Sequence, residues 1–296
     1  MSVSSATITL RVTRSRVGAA VRILAGALAL LAPAAGASAG TTERVSVDSG
    51  GNEADGESRF RPAISADGSF VAFTSFATNL VPADGNRTMD VFVHDRSTGV
   101  TERVSVDGAG NQGDRSSYDP SLSADGRFVA FASSATNLVP GDAGWRDDVF
   151  VRDRWTGATE RVSVDSAGTP GDDSSYSPSL SADGRFAAFR SRATNLVAGD
   201  TNGSIDVFVH DRWTGATERV SVDSDGNQAT GDTYSPAVAD CYNPAISADG
   251  RFVAFASLAA NLVPGDTNGS MDVFVHDRQT GTTERVSVDS AGTEMS

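Results

Sequence analysis

Beyond residue 42 the chain alternates short apolar runs with polar, Gly-rich punctuation. Runs such as Arg127-Phe128-Val129-Ala130-Phe131-Ala132, Asp148-Val149-Phe150-Val151 and Thr159-Glu160-Arg161-Val162-Ser163-Val164 are rich in Val and Phe and bounded by Gly, Asp and Ser. That composition predicts β-strands, and no segment sustains a helical apolar period. A shorter candidate, Pro120-Ser121-Leu122-Ser123, precedes them, giving four strands, a to d, in order. Asp125-Gly126 supplies a tight a-to-b turn, and Asp153-Arg154-Trp155-Thr156-Gly157 the c-to-d turn.

The pattern recurs along the chain. Thr-Glu-Arg-Val-Ser-Val occurs five times, with its Arg at Arg44, Arg103, Arg161, Arg219 and Arg285, at spacings of 59, 58, 58 and 66. Ser-Ala-Asp-Gly starts at Ser65, Ser123, Ser181 and Ser247, and Asp-Val-Phe-Val at Asp90, Asp148, Asp206 and Asp272. The long last spacing contains a local duplication, Tyr234-Ser235-Pro236-Ala237 echoed by Tyr242-Asn243-Pro244-Ala245. Four-stranded antiparallel units at a fixed period predict an all-β fold, a β-propeller whose blades bury both faces against their neighbours. The four blades are expected over about 60–107, 118–165, 176–223 and 242–289, with one extra outer strand at 42–47.

The order Ser-Ala-Asp-Gly-Arg-Phe-Val-Ala-Phe-Ala-Ser followed by Asp-Val-Phe-Val resembles the TolB-type, WD-like propeller repeat: Ser-Pro-Asp-Gly, an apolar strand ending in Ala-Phe-x-Ser, then Asp-Ile-Tyr. The likeness covers about residues 43–289 and returns in all four units. Ala replaces the family's usual Pro, the period exceeds the family's roughly 40 residues, and the α/β domain preceding the propeller of TolB itself is lacking, so TolB's role in an envelope complex does not carry over. The resemblance implies a propeller of the superfamily whose members commonly have about six blades. Here four copies of strands a to c accompany five of strand d. Either the spare strand docks on an edge or the blades close by self-association, because an open blade face exposes apolar surface.

Residues 1–39 read as a secretory signal peptide: Arg11, Arg14, Arg16 and Arg22, the apolar run Ile23 to Ala32, then Ala37-Ser38-Ala39. The run is shorter than the ~20 residues needed to span a bilayer, so no membrane span is expected after signal removal and residues 40–296 form the propeller of a secreted or periplasmic protein. The formal charge is −14, and none of the 24 basic side chains is Lys, which speaks against a nucleic-acid surface. Cys241, the single cysteine, offers no intramolecular disulfide and reads as a buried thiol, with intermolecular pairing as the alternative.

Candidate chemistry gathers on one face. Strand direction alternates within a blade, so the long d-to-a and b-to-c connections share an end, opposite the short turns. Each b-to-c loop carries two Asp: Asp84 with Asp90, Asp142 with Asp148, Asp200 with Asp206, Asp266 with Asp272. Asp-Thr-Asn-Gly-Ser-x-Asp, with Asn202 and Asn268 inside, is like a shortened calcium loop; the competing reading makes these residues turn formers. An aromatic precedes Pro before each strand a, at Phe60, Tyr118, Tyr176 and Tyr242, and the duplicated segment adds Tyr234. With Trp145 in the second b-to-c loop, these rings are candidates for a peptide or glycan at the channel mouth, or for wedges between blades. Trp155 and Trp213 occupy the short c-to-d turns. His94, His210 and His276 hold one repeat position, which predicts separation around the axis. Gly36-x-Ser38-x-Gly40 falls across the cleavage site and lacks the context of a nucleophile elbow.

No catalytic constellation and no cofactor other than calcium is expected. Near-identical residues in every blade favour a non-enzymatic propeller that binds a protein, peptide or glycan. The alternative is an extracellular lyase or hydrolase acting on polysaccharide or peptide.

Overall fold

The computed structural model describes residues 42–142, 144–230 and 241–293. The chain divides into residues 1–43 and a second unit, residues 44–296. The signal-peptide segment and Tyr234 lie outside the described residues.

The second unit is built from four consecutive antiparallel sheets. The first holds β1 (Ser58–Ile64), β2 (Phe70–Ser75), β3 (Asp90–Asp95) and β4 (Thr101–Arg103); the second, β5 (Ser117–Leu122), β6 (Phe128–Ser133), β7 (Asp148–Asp153) and β8 (Ala158–Arg161). The third holds β9 (Ser175–Leu180), β10 (Phe186–Ser191), β11 (Asp206–Asp211) and β12 (Thr217–Arg219); the fourth, β13 (Cys241–Ile246), β14 (Phe252–Ser257), β15 (Asp272–Asp277) and β16 (Thr282–Arg285). Strands pair in chain order within each sheet, as the four-strand repeat predicts.

Two middle strands form the core of each blade because both their faces are covered. Val129, Ala130, Phe131, Ala132, Val149, Phe150 and Val151 are fully buried. Phe131 is in register with Phe150, and their rings stack at 6.0 Å. Phe73 with Phe92, Phe189 with Phe208 and Phe255 with Phe274 repeat the pair. Such cross-strand rings contribute about 0.5–1.5 kcal/mol beyond their burial. The apolar clusters lie between sheets: Val149, Val151 and Val162 of the second blade pack with Phe189, Leu196 and Phe208 of the third.

Successive blades dock by one repeated device. The first strands of neighbouring blades touch, β1 with β5, β5 with β9 and β9 with β13, so strand a is the inner edge. At the a-to-b turn, Ala66 N–H donates to Ala124 O at 2.9 Å, Ala124 N–H to Ala182 O at 2.8 Å, and Ala182 N–H to Ala248 O at 2.9 Å. Gly126 sits here at φ +68° against Phe70 of the preceding blade, and a Cβ would come within 2.3 Å of that ring. Positive φ and lack of room both require glycine there. Arg154 then lies over Phe70, 4.4 Å from its centroid, and pairs with Glu102 at 2.6 Å. Arg212 with Phe128 and Glu160, and Arg278 with Phe186 and Glu218, repeat this clamp.

The spare fifth copy differs from expectation. Residues 42–46 form no strand, and Val47 makes an isolated bridge to Glu53. The same bridge follows strand d in later repeats, Val106 with Gln112, Val164 with Pro170 and Val222 with Gln228. Elsewhere strand d is held by strand c of its own blade, as Arg103 is opposite Phe92. What survives is the after-strand segment, which lies against the next blade: Thr101 Oγ1 donates to Val47 O at 2.6 Å, as Thr159 does to Val106 O at 2.7 Å. At the other end, Phe252, Val273 and Val286 are 39%, 40% and 43% exposed, whereas Val207 and Val220, the counterparts of the two valines, are fully buried.

Candidate functional site

Inner strands of all four blades converge on a small cavity of about 50 Å³ lined by Arg61, Asp119, Ser177 and Asn243, with Pro120, Pro178 and Pro244 behind them. The four polar residues occupy one repeat position, between the aromatic and the Pro. Asp119, Ser177 and Asn243 take φ of 53°, 50° and 49°, and the register with strand b shifts across them, as between Tyr118 and Ser121. These left-handed bulges re-aim the side chain that follows each aromatic. Ser177 Oγ approaches Asp119 Oδ2 at 3.4 Å. The aromatic-Pro motif flagged the place, but the variable residue inside it carries the cavity.

Of the aromatics themselves, Phe60 lies in β1, Tyr118 in β5, Tyr176 in β9 and Tyr242 in β13, and the last three are half-buried. Tyr118 donates its hydroxyl to Asp147, and burial with this acidic neighbour raises its pKa. Tyr176 and Tyr242 flank the guanidinium of Arg190, 5.5 Å from each ring centroid. Trp145 is 85% exposed, with Arg115 4.1 Å from its centroid. Trp155 and Trp213, 70% and 69% exposed, are covered by Arg127 and Arg185 of their own blades rather than by a neighbouring strand.

Each Asp pair of the b-to-c loops meets an arginine of strand d. Arg161 lies 2.7 Å from Asp142 and 3.5 Å from Asp148; Arg219 lies 3.2 Å from Asp200 and 3.5 Å from Asp206. Arg285 stands 3.3 Å from Asp266 and 3.6 Å from Asp272, and Arg103 stands 3.4 Å from Asp84. In the first blade Gln112 bridges Asp84 and Asp90 at 2.7 and 2.9 Å. Ser105, Ser163 and Ser221 donate to Asp90, Asp148 and Asp206 at 2.6, 2.6 and 2.5 Å. Asn202 and Asn268 donate to Asp206 and Asp272 at 2.9 and 3.2 Å. The balancing cation at each pair is thus a guanidinium, and a calcium ion there would have to displace it. No group of three or more His, Cys, Asp or Glu converges among the described residues. The sequence signal for this network was the fixed offset between Asp-Val-Phe-Val and Thr-Glu-Arg-Val-Ser.

Burial pushes the carboxyls of Asp142 and Asp200 up to about 6, against an opposing pull from Arg161 and Arg219. A carboxyl raised on folding contributes stability that is complete below its unfolded value of 3.8 and is lost as pH rises through about 6. His210 and His276, lowered by burial, act in the opposite sense, losing stability as pH falls below 6.5. Replacing Asp142 and Asp200 together by Asn should therefore raise the melting midpoint relative to wild type progressively between about pH 4 and 7. Parallel pH profiles for the two proteins would show that these groups are not strained.

The histidines are separated as predicted. His94, His210 and His276 each direct Nδ1 at a threonine of the same blade, Thr101, Thr217 and Thr283, at 2.8, 2.8 and 2.9 Å. Arg152 takes the position in the second blade, reaching Thr159 at 3.0 Å. Cys241 is fully buried, its Sγ 3.5 Å from Ser257 Oγ.

No family model matches the chain, and no curated protein sequence matches it. Among solved structures it is similar to TolB from Acinetobacter baumannii, 20% identical over 77% of this chain and 43% of that one, with a TM-score of 0.45. The putative TolB from Agrobacterium tumefaciens is 17% identical over 77% of this chain and 64% of that one, TM-score 0.48. The β-propeller domain of the Trilobed protease from Pyrococcus furiosus is 11% identical over 78% and 57%, TM-score 0.44. The chain spans less than two thirds of the length of each. Strand order within the sheets, stacking of successive sheets and convergence of their first strands make this an all-β chain of four propeller blades, TolB-like in the repeat that each blade carries.

Proposed function

We propose that the chain is an exported, non-enzymatic β-propeller that binds a protein, peptide or glycan through the end where its long loops meet the inner strands. The observation that carries it is the divergence of the side chains at the axis. In a chain whose blades are otherwise near copies, four different polar side chains, Arg61, Asp119, Ser177 and Asn243, surround one point. A scaffold alone gives no reason for that divergence, while recognition of an asymmetric ligand does. The ordered leader pattern at residues 1–39 supports export, and no helix among the described residues is long and apolar enough to cross a membrane.

Glycan and peptide arrays probed with the whole chain test this, followed by hydrogen exchange on each hit. Ligand should protect residues 117–120, 175–178 and 241–244. Protection confined to the opposite turns around Ser65–Gly68 and Ser123–Gly126 would overturn the assignment. A second reading, an enzyme acting at the axis, is favoured by Ser177 facing Asp119. Turnover of an array ligand that disappears in Asp119→Asn would replace binding with catalysis.

A further inference from the structure

Resting on that loop-face reading, we propose that the cleft between the third and fourth blades binds acidic, uronate-type oligosaccharides, with Arg190 and Arg192 gripping the carboxylates. The repeat itself exposes the two arginines as additions. Arg190 stands where the other blades have Thr74, Ala132 and Ala256, and Arg192 where they have Phe76, Ser134 and Leu258. Two positions apart around the end of β10, they flank an open cleft of about 510 Å³ that also presents Asp173, Tyr176, Ile205 and Tyr242, within the range of small-ligand sites.

Their electrostatic situation differs from that of the arginines repeated in every blade. Arg127, Arg154, Arg161, Arg185, Arg212, Arg219, Arg251 and Arg278 each pair with a carboxylate. Neither Arg190 nor Arg192 has an ion pair among the described residues; Nε of Arg190 is buried without an acceptor, as is that of Arg161 and Arg219, but those two have a carboxylate beside them. In a chain of formal charge −14, two guanidinia beside one cleft that have no ion pair among the described residues, against the single carboxylate of Asp173, mark a place for an added anion. Arg190 is held between the rings of Tyr176 and Tyr242, which fixes its plane and lowers the entropy lost on binding. In the second blade the hydroxyl of Tyr118 is taken by Asp147, but the residue corresponding to Asp147 in the third blade is Ile205.

The lining chooses between glycan and peptide. Guanidinia match carboxylates with paired donors, Asp173 and the tyrosines add partners for sugar hydroxyls, and Ile205 is the one aliphatic side chain among the described residues that line the cleft.

Calorimetric titration of the whole chain with trigalacturonate, maltotriose and a hexaglutamate peptide tests the assignment. Trigalacturonate should bind and maltotriose should not, and Arg190→Ala with Arg192→Ser should weaken trigalacturonate at least about tenfold, the cost of losing charged hydrogen bonds. Both substitutions install residues that other blades carry, so the melting midpoint should hold. If it falls, Arg192→Ser alone, at an exposed position, should still weaken binding at least about threefold. Absent trigalacturonate binding, equal maltotriose binding or an unaffected double variant would overturn the proposal. Hexaglutamate binding alone, lost in the double variant, would overturn the glycan assignment while leaving the loop-face reading intact. Array ligands that protect only the opposite turns would remove both.

Discussion

Phe208→Ala should lower the free energy of unfolding by about 3–5 kcal/mol, the range for truncating a buried aromatic. Phe208 is fully buried, stacks on Phe189 at 6.0 Å and packs with Val149, Val151 and Val162 of the preceding blade. Its loss therefore opens a cavity inside one sheet and at the junction of two. Phe92 is the informative control: it too is fully buried, but its cluster among the described residues holds Phe73, Ala77 and Leu80, with Ala54 and Val81 packed against them, and no strand of a second blade. Phe92→Ala should cost less, since the segment carrying Ala54, rather than a whole sheet, packs against its cluster among the described residues and can relax more readily. Urea unfolding followed by tryptophan fluorescence would measure both. Equal losses would mean that blade-to-blade packing adds nothing to the core, contrary to the inter-sheet clusters.

Asp206→Ala should cost about 1–3 kcal/mol, because it leaves the buried hydroxyl of Ser221 and the amide of Asn202 without their acceptor, while Arg219 keeps Asp200. Asp206 is fully buried and accepts from Ser221 at 2.5 Å and Asn202 at 2.9 Å, with Arg219 at 3.5 Å. Ser221 Oγ in turn accepts from Val207 N at 3.1 Å, so the carboxylate anchors a side chain that holds the start of β11. Asp206→Asn retains an oxygen for Ser221 and should cost roughly half as much. The melting midpoint of wild type should be the same in millimolar calcium and in chelator, because the Arg219 guanidinium already lies against both carboxylates and would have to be displaced. A rise in calcium that magnesium does not reproduce, and that Asp200→Ala with Asp266→Ala abolishes, would instead assign the loops to calcium.

The blade was legible in the sequence for a definite reason. Residues 128–132 and 149–151 are apolar on both strand faces, which is tolerable only where a sheet is covered on both sides, and Asp125-Gly126 and Asp153 to Gly157 fix the reversals between strands. The Asp pairs were legible as pairs, but their partners were not. Arg161 and Asp148 are thirteen residues apart in sequence and meet only because β8 lies beside β7. Residues 42–47 carried the strand d motif yet form no strand, so the motif's composition alone does not make one; in the blades the same motif is a strand paired with strand c.

The sequence by itself determined four repeated antiparallel blades, their turns and the end on which their long loops lie, since those follow from local polarity and turn chemistry. Tertiary structure alone decided three things: that Arg61, Asp119, Ser177 and Asn243 share one cavity, that Tyr176 and Tyr242 enclose Arg190, and that an arginine balances each Asp pair. Each joins residues from different strands or blades. Their proximity depends on register and on the stacking of whole sheets, both set by the summed burial of many side chains and written in no single stretch of chain.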